Sequence, residues 1–389
     1  MQFLQEHGSA LKQGTRIQHY ELMRVLGAGS FGITYLAFDH NLERAVAIKE
    51  YFYSGLAVRT PDQLVVPNVP TGDAKRDFEW GKQRFIDEAR LLAHMDHRNV
   101  VRIHDYIESY NTAYMVMEYI EGNTLQDVIR DHGPLSTAEW WEWLDGLMEG
   151  LEHVHSKSLL HRDIKPSNIA IQVAEDGGTR AILIDFGSAR RAAAVRRPGP
   201  TVVYTPGFAP IEQYSMATEQ NQATDIYGLA AVSYFVLTGE APPDAASRSI
   251  DDKYRPLTER PELAASPLAK TIDQGLRLER FERHASIAAW RKQILREETG
   301  TGEEVQEAKR TERTRRMLQE WTKRVRSYGR RGGAKPAIEI TVPTPTGTRR
   351  IEIPVPSDNW REDSTMKWFQ KGQALEDRKN RKDGEKKRR

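Results

Sequence analysis

One stretch of eight residues, from His161 to Asn168, places an acid, a base and an amide close together. Asp163 can accept a proton from a hydroxyl group, Lys165 can neutralise charge on a phosphate, and Asn168 can hold a divalent metal. A second carboxylate, Asp185, follows Asn168 by seventeen residues and begins an Asp-Phe-Gly turn. These groups can act together only if the fold brings the two segments to one cleft.

A glycine-rich stretch near the N-terminus separates two segments typical of β-strands, Tyr20–Leu26 and Ile33–Ala37. Glycine permits close backbone approach, so the N–H groups of this stretch can face phosphate oxygens. A Rossmann unit uses the same pattern but needs a helix directly after the glycines. Because β-branched and aromatic residues follow, the sequence predicts a strand–loop–strand hairpin. The stretch consists of Gly27, Ala28, Gly29, Ser30, Phe31 and Gly32.

A strand with a buried pattern, Ala45–Lys49, ends in a lysine 17 residues after Gly32. Further on, Lys82–His94 has apolar residues at helical spacing, with Glu88 beside them. An inward-facing Glu needs a cation, and Lys49 is the candidate. Taken alone, each residue has a simpler explanation, since strand-end lysines commonly reach water and helix glutamates are commonly solvated.

The order and spacing of these motifs resemble the signature of eukaryotic-like protein kinases, and specifically the serine/threonine kinases of bacteria. Three further segments carry the resemblance: Ile48–Phe52 matches an Ile-Lys-Glu-Tyr-Phe run, Tyr114–Tyr119 resembles the kinase hinge, and Ala209–Tyr214 differs from Ala-Pro-Pro-Glu-Gln-Tyr only at Ile211. The resemblance implies an α+β, bilobal protein-kinase fold, with a small antiparallel-β lobe that carries one helix and a larger, mostly helical lobe.

The resemblance also implies how ATP would be held and used. The backbone of residues 27–32 would cover the phosphates, and Lys49, held by Glu88, would fix the α- and β-phosphates. Asp163 would orient and deprotonate the acceptor hydroxyl, while Lys165 would steady the γ-phosphate in transit. All four of these side chains are therefore expected to be catalytic.

The metal and the adenine ring have implied ligands as well. Asn168 and Asp185 would hold Mg²⁺. Ala170 and Thr34 depart from the Leu and Val that the family usually places against adenine, so the sequence predicts weaker affinity for ATP. The residues expected to line the adenine site are Thr34, Ala47, Met117, Glu118, Ile120 and Ala170.

The acceptor is expected to be serine or threonine. Lys165 follows Asp163 by two residues, and Thr205 resembles the threonine that contacts both. Arg162 precedes the catalytic Asp, and such an Arg often receives a phosphorylated residue of the activation loop. We hypothesise that Thr201 is an autophosphorylation site, the alternative being a threonine selected only for turn chemistry.

Two structural contacts are implied by the same resemblance. Glu212 would pair with a buried Arg near the end of the domain, for which Arg283 is suitably placed, and Asp225 would brace the catalytic loop from below. Two other functions stay open at this point. One is a pseudokinase scaffold that presents the C-terminal region to partners, and the other is a small-molecule phosphotransferase.

Composition limits the class of protein further. The 389 residues contain no Cys, which excludes disulfides, Cys-based zinc sites and thiol catalysis. The N-terminus has no secretory signal, and the longest apolar run, Gly228–Leu237, is far shorter than the roughly 20 residues of a membrane span. A cytoplasmic location is expected.

Charge divides the chain into an acidic body and a basic end. Residues 301–389 contain 24 Lys and Arg against 14 Asp and Glu, which leaves 33 basic and 41 acidic residues for the other 300. We predict a kinase domain at 17–296, with lobes at 17–121 and 122–296, and a charged C-terminal extension at 297–389.

The extension is expected to contain a helix, a hairpin and a disordered end. Its positive charge is compatible with a plain solvated surface, with docking on the kinase body or a partner, or with nucleic acid or an anionic membrane. Docking ranks above binding of nucleic acid or membrane, because acidic residues are interspersed among the basic ones throughout the extension. The helix candidates are Glu303–Arg331 and the segment from Asn359, and the hairpin strands are Ile338–Val342 and Ile351–Val355.

Overall fold

The computed structural model describes residues 9–29, 32–69, 72–173, 178–186, 205–214 and 218–299, together with the backbone of 337–344 and 347–354. The strands are β1 (Arg16–Ile17), β2 (Tyr20–Gly29), β3 (Gly32–Asp39), β4 (Arg44–Tyr51), β5 (Ala57–Arg59), β6 (Val65–Pro67), β7 (Ile103–Ser109), β8 (Thr112–Glu118), β9 (Gly122–Thr124), β10 (Ile169–Val173), β11 (Thr179–Leu183), β12 (Ala337–Thr344) and β13 (Gly347–Pro354). The helices are α1 (Asp73–Leu92), α2 (Leu125–His132), α3 (Thr137–Ser156), α4 (Gln222–Thr238), α5 (Ala245–Arg248), α6 (Pro267–Gly275) and α7 (Ile287–Thr299).

The N-terminal part is a six-stranded antiparallel sheet in the order β1-β2-β3-β4-β8-β7. Strands β2 and β3 pair as far as Gly29 and Gly32, so the glycine-rich stretch is the predicted strand–loop–strand hairpin. Gly32 is required where β3 begins to pair with β4, because a Cβ there would lie 2.6 Å from the carbonyl oxygen of Glu50. The hairpin is thereby held against the strand that carries Lys49.

The Pro, Asp and Val content of Ser54–Arg76 predicts a loop insertion, and this prediction is wrong. Strands β5 and β6 form an antiparallel pair inside it, and α1 begins at Asp73, nine residues before the predicted start at Lys82. Leu56 and Val65 are buried, so the segment contributes to the core despite its Pro and Asp content. The sequence did not reveal these strands, because a strand of three residues is too short to show an alternation of apolar and polar residues.

Helix α1 packs its apolar face on the sheet. Phe85, Ile86, Ala89 and Leu92 are all buried, as their helical spacing predicts. The same face continues into the first half of the helix through Phe78. This packing directs one side of α1 toward β4 and the cleft.

The second part is mostly helical and has the apolar helix α4 at its centre. Nearly every residue of α4 is buried, as the apolar run Gly228–Leu237 predicts. Helix α3 begins at Ser136, whose side chain caps it with Glu139 in a capping box. The tryptophans of α3 recur at helical spacing, which predicts a core stripe rather than a ligand-stacking site. Trp140 and Trp143 are buried in the core, which confirms that prediction. A three-stranded sheet has the order β11-β10-β9. Strand β11 packs on α3, and strands β9 and β10 pack on α2.

A separate unit near the C-terminus contains the antiparallel hairpin of β12 and β13, in which Ile340 pairs with Ile351. The hairpin lies where the sequence predicts two strands. Both helix candidates of the extension fall outside the described residues. None of the helices in the described ranges has the length and apolarity needed to cross a bilayer.

Candidate active site

The segment that follows α3 brings three of the predicted site residues into contact. Asn168 donates from Nδ2 to Asp163 Oδ2 at 2.9 Å and to the Asp163 carbonyl at 2.9 Å. Lys165 Nζ lies 3.1 Å from the same Oδ2 atom. The carboxylate of Asp163 is therefore fixed in orientation by an amide and an ammonium group at once.

The Asp-Phe-Gly turn reaches the same place from the other side. Asn168 Nδ2 also lies 3.4 Å from the carbonyl of Asp185, and the Asp185 carboxylate forms an ion pair with Lys49 Nζ at 3.1 Å. The N-terminal sheet, the catalytic loop and the turn thus meet in one cluster. Asp185 adopts a φ of 59°, a left-handed conformation that is unusual for a non-glycine residue and common at functional sites.

Lys49 is stabilised in its charged form. Burial disfavours the ammonium group, yet the carboxylates of Asp185 and Glu88 outweigh burial and raise the pKa of Lys49 above its ordinary value. Glu88 is only 7% exposed on the inner face of α1. Glu88 contributes to this pKa shift through its charge, and the ion pair that Lys49 forms at 3.1 Å is with Asp185. The predicted pairing of Lys49 with Glu88 stays a prediction.

Asp225 of α4 braces the catalytic loop from inside the helical part, as predicted. Its carboxylate accepts the backbone N–H of His161 at 2.9 Å and that of Arg162 at 2.7 Å. His155 Nε2 donates to it at 2.8 Å. Burial opposes the ionised form, but the hydrogen bond and charge of His155 prevail, so the pKa of Asp225 is below its ordinary value. These bonds hold Arg162 at its left-handed φ of 65°.

Two further contacts support the loop and its surroundings. The ring of His161 stacks on Phe186 of the turn, with centroids 4.3 Å apart. Lys165 Nζ lies 3.5 Å from Thr205 Oγ1, at the far end of the activation segment. Thr201 falls outside the described residues, and its phosphorylation stays a prediction.

The predicted pair of Glu212 and Arg283 is confirmed. Arg283 binds Glu212 through two hydrogen bonds, of 2.7 and 3.1 Å, and both side chains are buried. Thr224 of α4 donates to the same carboxylate at 3.1 Å. The bidentate geometry ties the end of the activation segment to the helical core.

The residues expected to hold adenine lie along strands that border the cleft. Ala47 pairs with Met117 across β4 and β8, and Thr34 pairs with Lys49 across β3 and β4. Ala170 is 7% exposed in β10. Ser30 and Phe31 lie outside the described residues. The roles of all these residues toward ATP stay predictions.

The hinge limits which backbone groups can bind adenine. Glu118 donates its N–H to the carbonyl of Arg102 at 2.9 Å. The Glu118 amide therefore already has a partner within the protein, and the expected contact of this residue with adenine stays a prediction. Ile120 follows in the segment between β8 and β9.

A magnesium ion fits the donor set of this cluster. Asn168 donates from its side-chain Nδ2 to Asp163, so the side-chain oxygen of Asn168 points away from Asp163. Amide and carboxylate oxygens are hard ligands, and Mg²⁺ is commonly held by one or two carboxylates plus substrate phosphates. Asn168 and Asp185 are the residues that would hold it.

Comparison with known proteins identifies the family. A family model for the protein kinase domain matches residues 20–285. The chain belongs to the protein kinase family. Its antiparallel sheet followed by a helical region is the fold of that family, and a structure titled PpkA-294 apo form has a TM-score of 0.65 at 36% identity, covering 74% of this chain and all of the other. The kinase domain of Mycobacterium tuberculosis PknI, at 21% identity and a TM-score of 0.54, is similar in fold.

Bacterial serine/threonine kinases are among the relatives of this kinase. Serine/threonine-protein kinase pkn2 of Myxococcus xanthus is 34% identical over 230 residues, which make up 58% of this chain and 25% of the relative. PrkC of Bacillus subtilis is 32% identical over 241 residues, or 60% of this chain and 33% of the relative. The chain thus matches only a quarter to a third of the length of these relatives.

Sequence reasoning missed a buried polar cluster behind the site. Glu50 follows Lys49 and is fully buried on the opposite face of β4, where it binds Tyr35, Tyr114 and Arg59. A signal was present, because a carboxylate inside an apolar strand must find buried partners. The identity of those partners was not predictable, since Arg59 lies in the segment that was assigned to a loop.

Proposed function

We propose that this kinase transfers the γ-phosphate of ATP to serine or threonine hydroxyls of proteins. The observation that carries the proposal is a continuous chain of direct contacts that joins Lys49, Asp185, Asn168, Asp163 and Lys165 in that order. Phosphoryl transfer needs alignment and neutralisation of charge rather than covalent help, and this cluster supplies both.

The acceptor hydroxyl binds at Asp163. Asn168 and Lys165 both hold Asp163 Oδ2, so the other oxygen of the carboxylate is the one oriented toward the hydroxyl proton. Lys165 neutralises charge on the phosphate as it moves, and its contact with Thr205 sets its position relative to the bound substrate. Bound Mg²⁺ would neutralise further charge on the phosphates.

ATP binds between the two lobes. Lys49 is kept charged by Asp185 and Glu88 and is available to the α- and β-phosphates. The hairpin of β2 and β3 covers the phosphates, and the adenine lies against the hinge after Met117. The kinase domain is proposed to extend over 17–296, and autophosphorylation at Thr201 would add negative charge near Arg162.

Substitution of Asp163 tests this function. Asp163→Asn should lower the rate of ³²P transfer from γ-labelled ATP to a generic protein substrate by about 10²–10⁴-fold, because it removes the proton acceptor. Binding of ATP should persist, since Lys49 and Asp185 are untouched. Phosphoamino-acid analysis of the product should give phosphoserine or phosphothreonine.

Asp62→Asn is the matched control, because Asp62 is an exposed carboxylate outside the cluster. It should retain full activity. A wild-type protein that transfers no phosphate, or an Asp163→Asn protein as active as the wild type, would contradict the proposal and favour a scaffold.

A further inference from the structure

Helix α1 approaches strand β4 closely at Gly81. Gly81 is buried in the helix and faces the ring of Tyr51, the last residue of β4. A methyl group at Gly81 would overlap the Tyr51 hydroxyl and lie 3.0 Å from its Cζ atom. Because glycine is unfavourable inside a helix relative to alanine, this close approach accounts for its presence.

The Tyr51 ring is enclosed by aromatic side chains of α1. It is 1% exposed and lies between two other rings of α1, with centroids 5.5 Å from Phe78 and 5.9 Å from Phe85. Its hydroxyl is buried with no hydrogen-bond partner among the described residues. Packing, and not a polar contact, therefore fixes the ring in the recess that Gly81 leaves.

The spacing along both elements links this recess to the active site. Glu88 lies seven residues after Gly81, so two turns of helix place both on one face of α1. Tyr51 and Lys49 are alternate residues of β4 and point to the same side of the sheet. The contact between Tyr51 and Gly81 thus bears on the separation of helix and strand on the side where α1 carries Glu88 and β4 carries Lys49.

We propose that Gly81 and Tyr51 form a steric register that sets α1 against β4 and thereby places Glu88 beside Lys49. Both are positioning residues, because neither touches the nucleotide or the reacting atoms. The inference rests on the proposed kinase function, since it concerns how the lysine that holds the phosphates is kept in place. It deepens that function by naming the contact that sets the helix position.

The register is tested by filling the recess and then relieving it. Gly81→Ala should lower kcat for phosphate transfer by about tenfold or more, toward the roughly 10²-fold that a 1 Å misplacement can cost. Tyr51→Phe removes the hydroxyl and should leave kcat close to that of the wild type. The double variant should recover part of the lost activity, because the overlap with the hydroxyl is gone and only the 3.0 Å approach to Cζ remains, which a small shift of the ring relieves.

Combining Gly81→Ala with Glu88→Gln shows whether Gly81→Ala acts by displacing Glu88 or by a general loss of stability. If Gly81→Ala acts by displacing Glu88, it should add little to the loss already caused by Glu88→Gln, since the two substitutions remove the same interaction. Gly275→Ala is the matched control, because a Cβ at this helical glycine would lie 2.7 Å from the Ala230 Cβ. It should lower the thermal midpoint without a comparable fall in kcat of the folded protein.

The outcomes distinguish the two proposals. An active wild type with an equally active Gly81→Ala variant overturns the register alone, as does a double variant no better than Gly81→Ala. A wild-type protein without kinase activity overturns the proposed function and the register together. If Gly81→Ala fails to fold, the double variant decides, because the register requires it to be folded and active.

Discussion

Glu50 is a carboxylate with no exposed surface in the middle of an otherwise apolar sheet. Arg59 donates to Oε2 at 2.6 Å, Tyr35 to the same oxygen at 2.8 Å, and Tyr114 to Oε1 at 2.9 Å. Burial and the charge of Glu50 raise the pKa of both tyrosines. Tyr35 in turn accepts the backbone N–H of Leu11, so the cluster joins the N-terminal segment and the β5–β6 pair to β4.

Removal of one partner from this cluster should be costly. Arg59→Met leaves the Glu50 charge buried without its cation, and we expect a loss of about 3–5 kcal/mol in the free energy of unfolding. The double variant Glu50→Gln/Arg59→Met should lose less than Arg59→Met, because it also removes the charge. Urea denaturation monitored by fluorescence measures both values.

A matched control exists on the surface. Arg16 pairs with Glu21 at 3.2 Å but is largely exposed, so Arg16→Met should cost at most about 1 kcal/mol. Equal losses for Arg59→Met and Arg16→Met would show that the buried pair contributes no more than an exposed one.

Residue roles were predictable where chemistry demands a fixed residue type. Asp163, Lys165 and Asn168 were found because their spacing is short and all three side chains must meet at one phosphate. Glu50 stands beside Lys49 in the same strand, yet its partners come from three separate segments. A single sequence contains no information that pairs such distant residues, so only the need for a buried partner could be inferred.

At the scale of elements, helix α4 positions the catalytic loop from beneath. Asp225 lies in its first turn and accepts two backbone N–H groups of the loop, those of His161 and Arg162. The loop in turn holds Asp163 two residues later. The position of the Asp163 carboxylate therefore depends on a buried side chain in another element.

Asp225→Asn should lower kcat more than it lowers the affinity for ATP. The two carboxylate oxygens of Asp225 each accept one N–H group of the loop. Asparagine has a single side-chain oxygen, so it cannot accept both groups in this way. We expect a fall in kcat of about 10²-fold from misplacement of Asp163, with the KM for ATP changed little because Lys49 is held by other residues. Steady-state kinetics at varied ATP concentration separates the two effects.

Asp273 of α6 provides the control for this prediction. It accepts the backbone N–H groups of Leu257 at 2.8 Å and Thr258 at 3.1 Å, so it braces a different loop in a similar way. Asp273→Asn should lower stability without a selective effect on kcat. An equal fall in kcat for both variants would show that the Asp225 effect is one of general stability.

Long elements with a strong period were predicted well and short ones were not. The buried stripe of α3 follows from residue spacing, and the buried centre of α4 follows from its apolar run Gly228–Leu237. Helix α1 was placed nine residues too late because its first half buries Asp77 and Gly81, which do not extend an apolar pattern. Buried polar and small residues interrupt the period that single-sequence reasoning depends on.

At the scale of the whole molecule, burial of histidines should make stability depend on pH. Burial lowers the pKa of four histidines, with further lowering by nearby positive charge at two of them, His97 and His104. His161 and His284 are lowered by burial against the opposing effect of hydrogen bonds or negative charge. All four are therefore kept neutral in the folded state over a range where the unfolded chain is protonated.

The sign of the effect follows from proton binding in the two states. Above the ordinary histidine pKa of 6.5, neither state is protonated at these residues, so they add no pH dependence. Below 6.5, the unfolded chain binds protons that the folded protein excludes, and stability falls until each folded-state pKa is reached. Each group can contribute up to about 1.4 kcal/mol per pH unit. Asp225, whose pKa is lowered, adds a further loss only below its ordinary value of 3.8.

We therefore expect the thermal midpoint to be level from pH 8 to 6.5 and to fall steadily from pH 6.5 to 5. His104→Gln should reduce the slope in the lower range, because it removes one of the groups that the unfolded chain protonates. His94→Gln is the control for the substitution itself, since His94 is exposed and lies just after the end of α1. Differential scanning calorimetry at half-unit steps measures the slopes, and a midpoint independent of pH below 6.5 would contradict the assignment of neutral buried histidines.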